Sequence, residues 1–257
     1  MAWKFDRSRF GAGKPMVCAH RGYSSAYPDN TLVAFEKAAL LGVDMIELDI
    51  SFSKDGVPML FHDPLLETHS TPLTGTIGDY TFEELQQVRI GAMMGMEDQP
   101  LCTFEQVCQL YTKYPGIVIL VDLKPNEDVE GTVKPVMEIV KKYGLEERVM
   151  YNSLDGHITK WLKDNTDFVI MGPPEGDRWG VNQTPGLDGT YATLDSVCVP
   201  SWELTLDGCN YLKSIGKIVI SAPVADEESA KRCLETGVEI ALADNPVHLL
   251  KMLGRMK

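Results

Sequence analysis

The sequence has no apolar run of about 18 residues, so it offers no candidate transmembrane helix and no stable membrane anchor. It also lacks the opening of a secretory signal. The first residues, MAWKFDRSRFGAGKP, are charged and have no apolar centre. There is no Cys-x-x-Cys pair. The six cysteines, at 18, 102, 108, 198, 209 and 233, are scattered, which favours reduced thiols in a cytoplasmic protein over a zinc site or a disulfide framework. Positive charge is scarce: 24 Lys+Arg stand against 37 Asp+Glu, a net charge of −13, which argues against non-specific nucleic-acid binding. The same field repels an anionic substrate at long range, so local cations must hold one. No internal repeat and no low-complexity segment occurs, and no glycine-rich nucleotide fingerprint follows the first apolar run. Oligomeric state is not legible.

A length of 257 residues with 44% hydrophobic content suffices for one α/β barrel or two small domains. Short apolar runs read as strands at 15–19, 45–52, 57–61, 116–123, 148–153, 168–171, 196–200, 217–222 and 238–243. Between most of them stand helix-like segments with ordinary start and stop residues, such as Asn30-Thr31 before the first helix and Gly42 after it. Strands alternating with helices imply a parallel sheet, and about eight such units in about 250 residues fit a (β/α)8 TIM barrel. A doubly wound open sheet is the runner-up. Residues 64–100 break the rhythm with Pro64, Pro72, Gly75, Gly78, Gly91, Gly95 and Pro100 and one short helix near Phe82–Val88. The expectation is a single domain over 1–257, with a small insertion at about 64–100 that follows the second barrel strand and covers the site.

A barrel of this kind keeps its chemistry at the C-terminal ends of its strands. The polar residues expected there are His20 and Arg21, Glu47 and Asp49, His62 and Asp63, Asp122 and Lys124, Asn152, Trp202 and Asp244. Alternation puts Glu47 and Asp49 on one strand face, with Ile46, Leu48 and Ile50 on the other. Carboxylates on an apolar strand need a cationic partner, and a hard divalent metal supplies one. Each part has an ordinary explanation by itself: Arg21 could pair the two acids, His62-Asp63 could be a capped turn, and Lys124 before Pro125 could be a solvated lysine. His69, His157 and His248 read as loop or helix-surface residues. Acids for a metal, two histidines for proton transfer, and arginine with lysine for a phosphate make a coherent set only when all stand at one mouth.

These residues resemble one family. His20-Arg21-Gly22, Pro28-Asp29-Asn30-Thr31, Ala34-Phe35, Ala38, Gly42, Glu47-Leu48-Asp49, Asp55-Gly56 and His62-Asp63 follow the order and spacing of the glycerophosphodiester phosphodiesterases. The resemblance continues through Gly75, residues 81–85 and Leu123-Lys124, and returns at Gly237 to Pro246. It implies a metal-dependent enzyme on a (β/α)8 barrel that takes a small-molecule phosphodiester and releases an alcohol and glycerol 3-phosphate. It implies that Glu47, Asp49 and Asp122 bind Ca²⁺ or Mg²⁺, that His20 and His62 form the acid/base pair, and that Arg21 and Lys124 hold the phosphoryl oxygens. The implied route has the glycerol 2-hydroxyl attack phosphorus, giving a cyclic intermediate that water opens. The chain departs from the family pattern with Asp29 and Asp122 where glutamate is usual, without the usual aromatic residue in 217–223, and without Arg-Thr-Thr after His62-Asp63. Two alternatives share the barrel: a lipid phosphodiesterase of the sphingomyelinase D kind, and a non-catalytic phosphodiester-binding protein.

Overall fold

The structure, a computed structural model, describes residues 4, 6, 14–68, 72–91, 95–172 and 193–256. Most of the N-terminal arm, His69 and most of the Gly/Pro-rich loop ending at Gly189 lie outside the described residues. In chain order the strands are β1 (Met16–Ala19), β2 (Met45–Phe52), β3 (Pro58–Leu60), β4 (Arg89–Ile90), β5 (Gln99–Pro100), β6 (Val118–Leu123), β7 (Val149–Asn152), β8 (Val169–Gly172), β9 (Ser196–Val199), β10 (Ile218–Val224) and β11 (Ile240–Ala243). The helices are α1 (Leu32–Leu41), α2 (Phe82–Leu85), α3 (Phe104–Tyr111), α4 (Val129–Lys142), α5 (Gly156–Asn165), α6 (Leu206–Ser214), α7 (Glu227–Thr236) and α8 (Pro246–Met252).

Eight of the strands, β1, β2 and β6 to β11, pair in parallel and close on themselves, because β1 bonds to β2 on one side and to β11 on the other. This is the expected (β/α)8 barrel. The helix boundaries follow local chemistry. Thr31 accepts a hydrogen bond from the Ala34 N–H at the start of α1, and Gly42, at φ 79°, ends it in a left-handed turn. Asp226 and Gly237 do the same for α7.

Alternation along the strands divides the core in two. Met45, Val118, Leu120, Met150, Ile220 and Ile240 fill the barrel floor. Their neighbours Ile46, Leu48, Ile119, Val121 and Val219 point outward and pack with Phe35, Ala38 and Val107 of the surrounding helices. Glu47 and Asp49 follow Met45 on the same inward face, toward the C-terminal end of β2.

The third apolar run is not a barrel strand. β3 runs antiparallel along β2, with Ile50 opposite Leu60. The excursion at 64–100 carries the expected short helix, α2, and also an unforeseen ribbon of β4 and β5. Two-residue strands have no periodicity to read. Met59, Phe61, Leu66, Ile77, Leu85, Val88, Ile90 and Leu101 form a separate small core between the excursion and β3. The expected cover over the site is not what the described residues build: those between 64 and 100 form a side lobe, and none lines the cavity at the barrel mouth. Among the described residues, no helix is long and apolar enough to cross a membrane.

Candidate active site

β1 ends at Ala19 and delivers His20 and Arg21 to the mouth. Arg21 adopts φ 56° and Gly22 φ 83°, so the chain turns sharply here. A Cβ on Gly22 would lie 2.7 Å from the carbonyl carbon of Ala34 in α1, so only glycine lets the loop rest on that helix. The turn aims the Arg21 N–H at Glu47 Oε2, 3.0 Å away.

β2 places Glu47 and Asp49, and β6 places Asp122 directly opposite Asp49. These acids are 4%, 2% and 9% exposed. One carboxylate oxygen from each lies within 4.8 Å of the others. All three expected metal ligands are therefore together, despite the shorter aspartate at 122. Two of them are held by asparagines. Asn30 Nδ2 donates to Asp49 Oδ2 at 2.8 Å, and Asn152 Nδ2 donates to Asp122 Oδ1 at 2.6 Å. Lys124 Nζ bonds both Asp49 Oδ1 and Asp122 Oδ2, and Arg21 Nε is 3.3 Å from Asp49 Oδ2. The ordinary ion-pair reading thus holds for Asp49 and Asp122.

Glu47 is in a different position. Burial, then the charges of Asp49 and Asp122, push its pKa up to about 8 against the opposing pull of His20 and Arg21. Burial raises Asp122 as well. For Asp49, burial is outweighed by Lys124 and Arg21, which hold it below the ordinary carboxylate range. Burial would lower Lys124, but Asp122 and Asp49 raise it. Two cations thus satisfy only part of the carboxylate charge. An oxygen-only donor set with unneutralised charge, gathered within 4.8 Å, fits a hard divalent cation.

The two histidines stand at the same mouth, each with a carboxylate on its inner nitrogen. His20 Nδ1 is 2.7 Å from Asp244 Oδ1, and His62 Nδ1 is 2.9 Å from Asp63 Oδ1. A carboxylate only accepts, so Nδ1 carries the proton in both rings. His20, Arg21, Glu47, Asp49, His62, Asp122, Lys124 and Asn152 line one side of a cavity of about 270 Å³. Met171, Gly172, Cys198, Pro200, Ala222 and Leu242 form the other, apolar side, with Leu154 beside them. Trp202 is in a turn after β9, 63% exposed, and does not line the cavity. His157 is exposed at the start of α5, and His248 lies 3.7 Å from Glu227. All six cysteines are free.

Residues 20–248 match the model of the glycerophosphoryl diester phosphodiesterase family. The chain belongs to that family. Its activity follows: the protein is a phosphodiesterase that hydrolyses glycerophosphodiesters. It is 29% identical over 264 residues to a glycerophosphodiester phosphodiesterase of Bacillus altitudinis, covering 94% of this chain and 99% of that one. It is 30% identical over 252 residues to one from Caldanaerobacter subterraneus subsp. tengcongensis, again covering 94% and 99%. Its fold resembles that of an Oleispira antarctica phosphodiesterase solved with the product sn-glycerol-3-phosphate, with a TM-score of 0.81 and 22% identity over 93% of this chain and 97% of that one.

Within this phosphodiesterase, two contacts had no counterpart in the sequence reading. Asn30 stood inside a recognised motif, but its grip on Asp49 spans 19 residues and becomes visible only when the loop folds back. The pairing of His20 with Asp244 spans 224 residues and depends on the barrel closing.

Proposed function

We propose that Glu47, Asp49 and Asp122 hold one Ca²⁺ or Mg²⁺, that His20 and His62 move the protons of phosphodiester cleavage, and that Arg21 and Lys124 hold the phosphoryl oxygens. The observation that carries this reading is the buried acid triad sharing one cavity with two histidines and two cations. When bound, the cation supplies charge neutralisation for the carboxylates and Lewis acidity toward a phosphoryl oxygen.

The chain's own groups account for the rest. Arg21 and Lys124 counter the overall negative field where the substrate anion must sit. One histidine, through Nε2, takes the proton of the glycerol 2-hydroxyl as its oxygen bonds phosphorus. The other gives a proton to the departing alcohol oxygen as its bond to phosphorus breaks. Water then opens the cyclic diester with the two roles exchanged, and glycerol 3-phosphate leaves. The apolar side, formed by Met171, Cys198, Pro200, Ala222 and Leu242, faces the alcohol carried by the diester. We assign the whole of 1–257 to one domain, with 64–100 as a lobe on it, and place the protein in the cytoplasm.

The experiment is an assay of glycerol 3-phosphate release from a panel of glycerophosphodiesters, with calcium, magnesium or chelator, using wild type, His20→Ala and His62→Ala. Removing a general acid or base typically costs roughly 10²–10⁴ in rate. Losses of that order in both variants, with the circular dichroism of a folded protein, support the assignment. Near-normal turnover in both, or activity indifferent to chelator, refutes it.

A further inference from the structure

The carboxylate behind His20 comes from the far end of the chain. Asp244 directly follows β11, and Ala243 is in register with Ala19, the residue before His20. The His20 N–H donates to the Ala243 carbonyl at 3.1 Å. The Ser25 N–H donates to the Asp244 carbonyl at 3.1 Å. Ser24 Oγ donates to the His20 carbonyl at 2.9 Å and lies 3.4 Å from Asp244 Oδ1. Asp244 is therefore fixed at its backbone and its side chain against the loop that carries His20. Its Oδ1, 2.7 Å from His20 Nδ1, leaves the ring one orientation, with Nε2 on the cavity side, 3.8 Å from Glu47 Oε2.

We propose that Asp244 is the positioning residue of His20: it fixes the ring and its tautomer so that Nε2 meets the substrate, and it touches neither the substrate nor the metal. The inference rests on the role proposed for His20. The two histidines are then held differently. His62 takes its carboxylate from the next residue in the chain, whereas His20 takes it from a strand 224 residues away. A group oriented only through tertiary contacts has few local alternatives once those contacts form, and outer partners that orient metal-bound histidines are typically worth about 10–100-fold in activity or metal affinity, which sets the scale here. The competing account is that Asp244 merely ties the loop after β11 to the loop after β1.

A double-mutant cycle separates the two. Wild type, Asp244→Ala, His20→Ala and the double variant are compared for kcat and KM on glycerophosphocholine, and for magnesium affinity by calorimetry. The expected result is an Asp244→Ala enzyme with kcat about 10–100-fold lower and with KM and magnesium affinity unchanged. The double variant should be no slower than His20→Ala alone. An Asp244→Ala loss that multiplies in full with the His20→Ala loss overturns the proposal while leaving the reading of the site intact. So does a loss confined to KM or to magnesium affinity. Normal turnover in His20→Ala overturns both. If Asp244→Ala does not fold, the isosteric Asp244→Asn enters the same cycle with the same outcomes.

Discussion

Asn30 and Asp49 grip each other through two hydrogen bonds. Asn30 Nδ2 donates to Asp49 Oδ2 at 2.8 Å, and the Asp49 N–H donates to Asn30 Oδ1 at 3.1 Å. Asn30 does this at φ 54°, a conformation that asparagine tolerates better than most side chains. The loop between β1 and α1 thus shapes one face of the acid cluster on β2.

Asn30→Ala removes both bonds and keeps an unfavourable φ. It leaves a buried amide N–H and a carboxylate oxygen without that partner, at a cost of about 1–3 kcal/mol for each unsatisfied group. Metal affinity should fall about 10–100-fold. Thermal melting and calorimetric titration with calcium or magnesium check both expectations.

The raised pKa of Glu47 makes a prediction about the metal-free protein. Its folded value, about 8, lies above the ordinary 4.5, so the folded state binds this proton more tightly than the unfolded chain. Its contribution to stability is therefore fully present below about pH 4.5 and is lost as pH rises toward about 8. Asp49 acts in the opposite sense. Held below its ordinary 3.8, it adds stability above that pH and loses it as the solution becomes more acid. The chelated protein should lose melting temperature between about pH 5 and 8, and Glu47→Gln should flatten that decline. A decline of the same steepness in Glu47→Gln would mean that another group is responsible.

Lys124 shows what chelation should do to the folded state. Its ammonium joins Asp49 and Asp122, so Lys124→Met leaves two buried acids without a shared cation. The metal-free variant should melt lower than wild type. A metal that binds only the folded state stabilises by about 2.7 kcal/mol at 100 times its Kd. Saturating metal should therefore raise the melting temperature of Lys124→Met by more than it raises that of wild type. If Lys124 holds the phosphate as proposed, turnover should stay low even with metal bound. Melting curves with and without chelator, beside kcat, test the prediction.

Ala222 stands on the apolar side of the cavity with only a methyl group. Ala222→Phe should fill part of the 270 Å³. The expected outcome is a fall of about 10-fold or more in kcat/KM for diesters of bulky alcohols relative to small ones, with metal affinity unchanged. Competition between two glycerophosphodiesters in one assay reads this ratio directly.

The barrel and the gathering of most candidate residues at one mouth were legible because each depends on short-range pattern. The inward placement of Glu47 and Asp49 follows from a two-residue period, and Asp122 and Lys124 close an apolar run. What escaped were features that distance in sequence conceals. The antiparallel course of β3 along β2 depends on the turn at Ser53–Gly56, and its apolar run looks the same as that of a barrel strand. The side lobe at 64–100 was expected to cover the site. Its glycines and prolines marked a departure from the barrel but said nothing of direction, which its own buried cluster around Leu66, Ile77 and Leu85 decides. Asp244 was placed at the mouth, but its partner was set by which strands meet at the seam.

The seam between β1 and β11 also governs when the enzyme comes into being. The first strand must wait for the last one, and contacts so distant in sequence are slow to form. A chain interrupted before Ile240 has β1 and β10 with bare edges, each a row of unpaired backbone donors and acceptors open to other chains. It also lacks the carboxylate behind His20. Copies interrupted there are thus inclined toward aggregation rather than partial activity.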